Sequence, residues 1–236
     1  AGDLARAYNN LAVLLRNAER PADAEAAYLR AEPLWQELVD RNPGIPEYRL
    51  ELAKCLNNVG ILHLNAPILE PKPRYARAES SLRRAIALRE QLVKDHPDVP
   101  DYRSELAAGY VNLGTVFDET ERSGEAVQTY QQAIHYLQGL VASFPLVVQY
   151  RHNLAAAHNN LGLAWRNEGW PKKAASEFLF ARNLFVQLAA EHEDQVVYLQ
   201  RLEGVLLNLT MLEHAEEDFT VAATHAAELT RVRREL

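Results

Sequence analysis

Apolar positions along this chain fall into two alternating patterns of helical spacing. One sets a large residue beside a small one, as in Leu161 and Gly162, with Trp165 close behind on the chain. The other reads Ala174, Phe178, Ala181: alanines a helical face apart with an aromatic between them. The two recur as Leu113, Gly114 and Phe117 with Ala126, Tyr130 and Ala133, and as Leu11, Ala12 and Leu15 with Ala24, Tyr28 and Ala31. Another copy has Val59 and Gly60, then Ala78, Leu82 and Ala85 after six inserted residues. The last, with Leu209, Thr210, Ala222 and Ala226, is the most degenerate. Small residues let the first helix of a pair approach the second, and the aromatic fills the gap beside them. Alanine and leucine dominate and β-branched residues are scattered, so helix is favoured over strand.

A phrase ahead of each copy sets the register. Tyr48-Arg49-Leu50-Glu51-Leu52-Ala53 returns as Tyr102-Arg103-Ser104-Glu105-Leu106-Ala107, as Tyr150-Arg151-His152-Asn153-Leu154-Ala155, and more weakly as Tyr198-Leu199-Gln200-Arg201-Leu202-Glu203. Downstream sits an asparagine each time: Asn58, Asn112, Asn160 and Asn208, with Asn10 in an opening copy that lacks its tyrosine. The steps from 10 to 58, 112, 160 and 208 are 48, 54, 48 and 48 residues. Prolines punctuate the same division. Pro43, Pro46, Pro97 and Pro100 separate copies, while Pro21 and Pro171 occupy the first turn of a helix, where the missing N–H costs nothing. Apolar turns such as Trp35–Leu38, Leu88–Leu92, Leu137–Val141 and Leu184–Leu188 lengthen the second helix of each pair. The pattern predicts helices at about 3–17, 21–41, 47–64, 74–95, 101–118, 123–143, 148–168, 171–191, 196–214 and 217–235. They make five hairpins in one repeat domain, with copies near 1–44, 45–98, 99–146, 147–194 and 195–236. The segment Leu64–Tyr75, with Pro67, Pro71 and Pro73, is predicted to be a surface loop, and Trp170 a packed turn.

Charge and chemistry narrow the function. A formal net charge of −7 argues against a nucleic-acid binder. A single cysteine, Cys55, excludes an internal disulfide framework and is read as a small buried filler in a chain suited to the cytoplasm. No run of ~18 apolar residues is present, so no membrane span is expected. The start, Ala1-Gly2-Asp3, runs straight into helical sequence and reads as a piece of a longer protein. Among the eight histidines, His152 and His158 lie on different faces of a helix, and His214 beside Glu216 and Glu217 has no second histidine a turn away. No nucleophile elbow or kinase motif occurs. Neither metal, cofactor nor catalysis is expected. Arg231, Arg233 and Arg234 complement a helix C-terminus.

The large–small pair followed by Ala-x3-aromatic-x2-Ala resembles the tetratricopeptide repeat family over nearly the whole chain, with a unit of 48 rather than about 34 residues. The long helices are also similar to tetratricopeptide tracts of large bacterial multidomain proteins, some with a kinase domain upstream. The resemblance implies an all-α, right-handed superhelical solenoid of five antiparallel helix pairs, with the first helix of each pair lining a concave surface. Members of the family that bind extended peptides grip the main chain with an asparagine placed like Asn10, Asn58, Asn112, Asn160 and Asn208. A primary amide both donates and accepts, so it pairs with a peptide unit whatever the ligand's side chains. By helical spacing the groove takes in Arg6, Asn9, Val13 and Arg16; Lys54, Asn57 and Ile61; Ala108, Val111, Thr115 and Asp118; Asn159, Leu163 and Arg166; and Leu207 and Met211. Cations gather towards the N-terminal half. The function expected is a non-catalytic scaffold for a protein or extended peptide, with no nucleic-acid or membrane partner. The alternative is a spacer or self-association module, in which the asparagines tie adjacent repeats together.

Overall fold

The computed structural model describes residues 2–66, 70–192, 194–216 and 219–235. They form ten helices: α1 Gly2–Asn17, α2 Pro21–Arg41, α3 Pro46–Asn65, α4 Pro71–Asp95, α5 Pro100–Glu119, α6 Ser123–Ser143, α7 Val148–Asn167, α8 Pro171–Glu191, α9 Val196–Ala215 and α10 Phe219–Glu235. No strand occurs among the described residues. One expectation needs correcting. The predicted loop Leu64–Tyr75 is largely helical at both ends, because α3 runs to Asn65 and α4 starts at Pro71. Pro71 and Pro73 fall in a first turn, whose N–H groups have no intrahelical partner to lose. Positions 67–69 of that segment, and 217–218 at the predicted start of α10, lie outside the described residues. The chain divides into two compact units, 1–120 with α1–α5 and 121–236 with α6–α10.

The joints between copies share one construction. The residues that close the second helices, Asn42, His96, Phe144 and His192, each accept a bond from the backbone N–H three residues on, at 3.1, 3.2, 3.1 and 3.0 Å. The opening tyrosine of the next copy then packs at an angle against that turn, with Tyr102 5.9 Å from His96, Tyr150 6.2 Å from Phe144 and Tyr198 5.8 Å from His192 between ring centres. The arginine of the phrase ties the start of its first helix to the end of its second. Arg49 donates to Asp95 and to the Pro43 carbonyl, both at 2.7 Å, and Arg151 donates to both Glu191 oxygens at 2.8 and 2.6 Å. The Arg151 bonds hold the Glu191 carboxyl below the usual carboxylate range.

Within a pair, the small residue decides how closely the helices meet. A Cβ added to Gly162 would lie 2.5 Å from Cε1 of the fully buried Phe178, and one added to Gly60 would lie 2.5 Å from Cγ of Leu82. Around these contacts the cores are continuous: Tyr28, Trp35, Leu52 and Leu56 in the first unit, Phe178, Phe185, Leu206 and Leu209 in the second. Cys55 is buried, and burial pushes its thiol up to about 12, as expected of a packing residue. Trp170 departs from the packed turn expected of it. It is 53% exposed, and Lys173 lies between its ring and that of Trp165, 4.6 and 4.0 Å from the two centres.

Two predictions follow from this packing. Alanine is the better helix former by about 1 kcal/mol, yet Gly162→Ala should destabilise the chain by ~1–3 kcal/mol through overpacking against Phe178. Thermal or urea unfolding reads the sign directly. The second concerns acid. His63 is 2% exposed with Nε2 3.3 Å from Glu25, and burial lowers its basicity below the ordinary 6.5; His152 is lowered for the same reason. The unfolded chain therefore takes up protons near pH 6.5 that the folded chain refuses. The histidine contribution is complete above that pH and is lost as pH falls towards the lowered folded values. His63→Leu should flatten this acid-side slope, measured as melting temperature between about pH 7 and pH 5.

Candidate functional site

The repeated asparagines sit on the first helices, α1, α3, α5, α7 and α9, and their surroundings differ from copy to copy. Asn10 is exposed, whereas Asn58, Asn112, Asn160 and Asn208 are half-buried. Two of them bond across a joint between copies. Asn112 donates from Nδ2 to Oδ1 of Asn57 at 3.1 Å, and Asn208 donates to Oδ1 of Asn159 at 3.0 Å. The acceptor in each case is the residue just ahead of the previous copy's asparagine. A first helix carrying two adjacent asparagines thus offers one to its successor. Asn9 holds the same place in the opening copy, buried, but its Oδ1 takes no hydrogen bond.

In the first unit this bond belongs to a buried polar network. Arg89 of α4 is 2% exposed and donates to Asn57 Oδ1 at 3.2 Å and to Glu105 of α5 at 2.5 Å. A Cβ at Gly109 would stand 2.9 Å from Arg89 Nη1, so this glycine makes room for the guanidinium. Burial lowers the arginine's affinity for its proton and Glu105 opposes the change. The sequence reading missed this cluster. The signal was an arginine in the register slot that holds Trp35, Leu137 and Phe185 elsewhere, facing a glycine and a glutamate.

The predicted cations differ in their surroundings. Lys54 pairs with Glu51 at 3.4 Å and lines a cleft of about 170 Å³ together with Asp101 and Glu105. Arg16 acts on the hydroxyl of Tyr28, on its own second helix, where burial raises the phenol to about 12. Arg6 is exposed on α1, and Arg166 half-buried near the end of α7. In the second unit the first helices leave a cleft of about 150 Å³ lined by Asn159, Asn160 and Asn208 with Gln200 and Arg201. Ala156 and Gly204, which stand in register with Lys54 and Arg6, help to open it. Among the described residues no group of three or more His, Cys, Asp or Glu is placed to hold a metal ion, and no helix is long and apolar enough to cross a membrane.

The two kinds of asparagine should separate by mutation. Asn57→Ala removes a buried acceptor from two donors and should cost ~1–3 kcal/mol. Asn10→Ala, at an exposed side chain, should leave the unfolding midpoint within about 0.5 kcal/mol of the parent. Equal losses for both would show that the network is not what distinguishes them.

Residues 107–135, across the third copy, match the tetratricopeptide repeat family. No curated protein matches the chain. Among solved structures, the apo form of RapI shares the fold with a TM-score of 0.72 at 15% identity, over 98% of this chain and 70% of that one. A putative kinesin light chain with nearly identical TPR-like repeats from Podosopora anserina gives 0.60 at 14% identity, over 97% and 94%. A Rap protein complexed with competence and sporulation factor gives 0.58 at 13% identity, over 97% and 53%. One copy of this chain thus matches the tetratricopeptide repeat, and the chain shares the repeat fold of these solved structures.

Proposed function

We propose that the chain is a non-catalytic scaffold that binds a protein or an extended peptide along its first helices, its five copies acting as one repeat domain. The observation that carries this reading is the cleft of the second unit, where Asn159, Asn160 and Asn208 stand together beside Gln200 and Arg201. Asn208 spends one N–H on Asn159 and keeps its second N–H and its carbonyl for a ligand. The fold shared with a Rap protein solved in complex with competence and sporulation factor supports a ligand-binding role. A second reading, in which the asparagines fasten repeats, is favoured in the first unit by the bonds among Arg89, Asn57 and Asn112. There the amide is spent on the fold. In the second unit amide and guanidinium line an open cleft, so the binding function is assigned to it.

Each amide bond to a ligand main chain contributes about 0.5–1.5 kcal/mol net, which with contacts from Arg201 and neighbouring groups leads to an affinity near micromolar. The test is affinity capture with the purified chain, identification of the bound protein or peptide, and titration of that ligand against Asn160→Ala. Binding should weaken at least tenfold while the melting temperature holds. Unchanged affinity for the variant would overturn the assignment.

A further inference from the structure

The fourth copy departs from its neighbours at the turn between α7 and α8. Counting back from the alanine that opens the second-helix signature, the fourth residue is Arg20 in the first copy, Arg122 in the third and Trp170 in the fourth. The residue just ahead of that alanine is Asp23, Glu125 and Lys173 in the same copies. Arg20 pairs with Asp23 at 2.7 Å and Arg122 with Glu125 at 2.5 Å, so those turns carry their own counter-charge. In the fourth copy an indole and a cation replace the pair. The second copy also has a cation in the slot of Lys173, Arg77, and Glu25 of α2 neutralises it at 2.9 Å. The register of Glu25 is taken in the third copy by the buried Val127. Lys173 therefore lacks both sources of a carboxylate. Lys172 adds a second cation where the first two copies have Ala22 and Ala76. Neither lysine has an ion-pair partner among the described residues.

The two lysines line a cavity of about 440 Å³ between α6, α7 and α8, together with Gln131, Trp165, Ser176 and Glu177. The carboxylate of the lining, Glu177, is already bonded to Nδ1 of the buried His158 at 2.5 Å. The two indoles are held together by the backbone: the N–H of Trp170 donates to the Trp165 carbonyl at 2.9 Å. Lys173 stands 4.0 and 4.6 Å from the centres of the Trp165 and Trp170 rings. A ring face attracts an ammonium without neutralising it. The Gln131 amide and the Ser176 hydroxyl add neutral donors. A cationic cavity with an indole wall and spare donors suits an oxyanion joined to an apolar group. Trp170 is 53% exposed beside it, and tryptophan is among the residues that most often carry the binding energy of protein interfaces.

We propose that this cavity is a docking site for an acidic segment of a partner protein, whose carboxylates sit between Lys172 and Lys173 while a neighbouring apolar side chain covers Trp170. It shares no lining residue with the asparagine cleft and does not depend on binding there. The probe is the capped peptide Glu-Glu-Phe-Glu-Glu, titrated into the intact chain by calorimetry and by tryptophan emission. Trp35 is fully buried in the first unit, so an emission change reports Trp165 and Trp170. Binding should saturate with a midpoint below about 1 mM at low salt and weaken at least tenfold at about 0.5 M salt. Lys172→Ala should weaken it at least tenfold. So should Trp170→Arg combined with Lys173→Glu, which rebuilds the ion pair of the third copy. Helix content and melting temperature should hold in both, since each change takes residues with which another copy already folds. The peptide with lysine in place of glutamate should not bind. No saturable binding, binding indifferent to these changes, or loss through Arg201→Ala instead (which would put the peptide in the asparagine cleft) would overturn the proposal. So would an equal response to inorganic phosphate alone, or capture by vesicles of two parts phosphatidylcholine to one part phosphatidylserine with no response to the peptide. A sedimenting mass above the 26.6 kDa of one chain that falls to it in the combined variant would make a second copy the occupant and likewise overturn it.

Discussion

The fold rests on the distance between the two helices of a repeat, and that distance is set by one small residue. At Gly162 the ring of Phe178 occupies the space where a side chain would begin, and at Gly60 Leu82 does the same. The first and last pairs follow the same volume rule in their sequence register. Ala12 is matched with Tyr28, and where the small position grows to Thr210 its partner shrinks to Ala226. Close-packed interiors tolerate changes of this sort only when they are compensated across the contact. Once the pair distance is fixed, the long second helix presents one face to its own first helix and another to the next, and the repeat propagates by nearest-neighbour contacts.

Polar residues within this frame add selectivity between copies. Arg89 occupies a slot that is apolar in the first, third and fourth copies, and it is accommodated because Gly109 is small and because Glu105 and Asn57 take its donors. A buried ion pair contributes little net stability against apolar residues of similar volume, but breaking one by removing a partner costs about 3–5 kcal/mol. The second copy is therefore suited to the third and poorly suited to a copy that offers alanine or leucine at those positions. Charge on the outer edge of the second helices shows a weaker form of the same matching. Glu32 meets Arg84 at 2.6 Å in the first unit, and Arg182 meets Glu228 at 2.7 Å in the second, the same slots with the charges reversed. These pairs are partly exposed and worth up to about 1 kcal/mol each.

The helices and their register were legible in the sequence because both are set by local spacing: a small residue, an alanine and aromatic a fixed distance on, and prolines between. The start of α4 was not, because a proline cluster reads as a break unless its place in a first turn is known. The Arg89 network was also hidden, since it joins residues from three helices and no single window contains it. Its trace was a mismatch, an arginine among aromatics and leucines at one register position. The asparagines were legible as a repeat but not as a role. A primary amide that can grip a peptide main chain can equally bond another amide, and the spacing is the same for both. What the sequence did contain was the doubled asparagine, Asn57–Asn58 and Asn159–Asn160, whose first member accepts the bond from the following copy.

The two roles of the amide need not compete, since each asparagine has two N–H donors and a carbonyl, and the bond between copies uses one donor of the later residue. A ligand held by Asn160 and Asn208 would lie against a joint already closed by the bond from Asn208 to Asn159. Binding would then hold the joint, and a formed joint would hold the amides in place for binding, which is a coupling between ligand affinity and the stiffness of the pair of copies. In the first unit the equivalent joint is further fixed by Arg89 and Glu105, and Lys54 is surrounded by carboxylates, so less of its hydrogen-bonding capacity is left for a partner. The same register position thus serves cohesion where a buried charge must be satisfied, and under the proposed function would serve recognition where small residues such as Ala156 and Gly204 leave the amides in an open cleft.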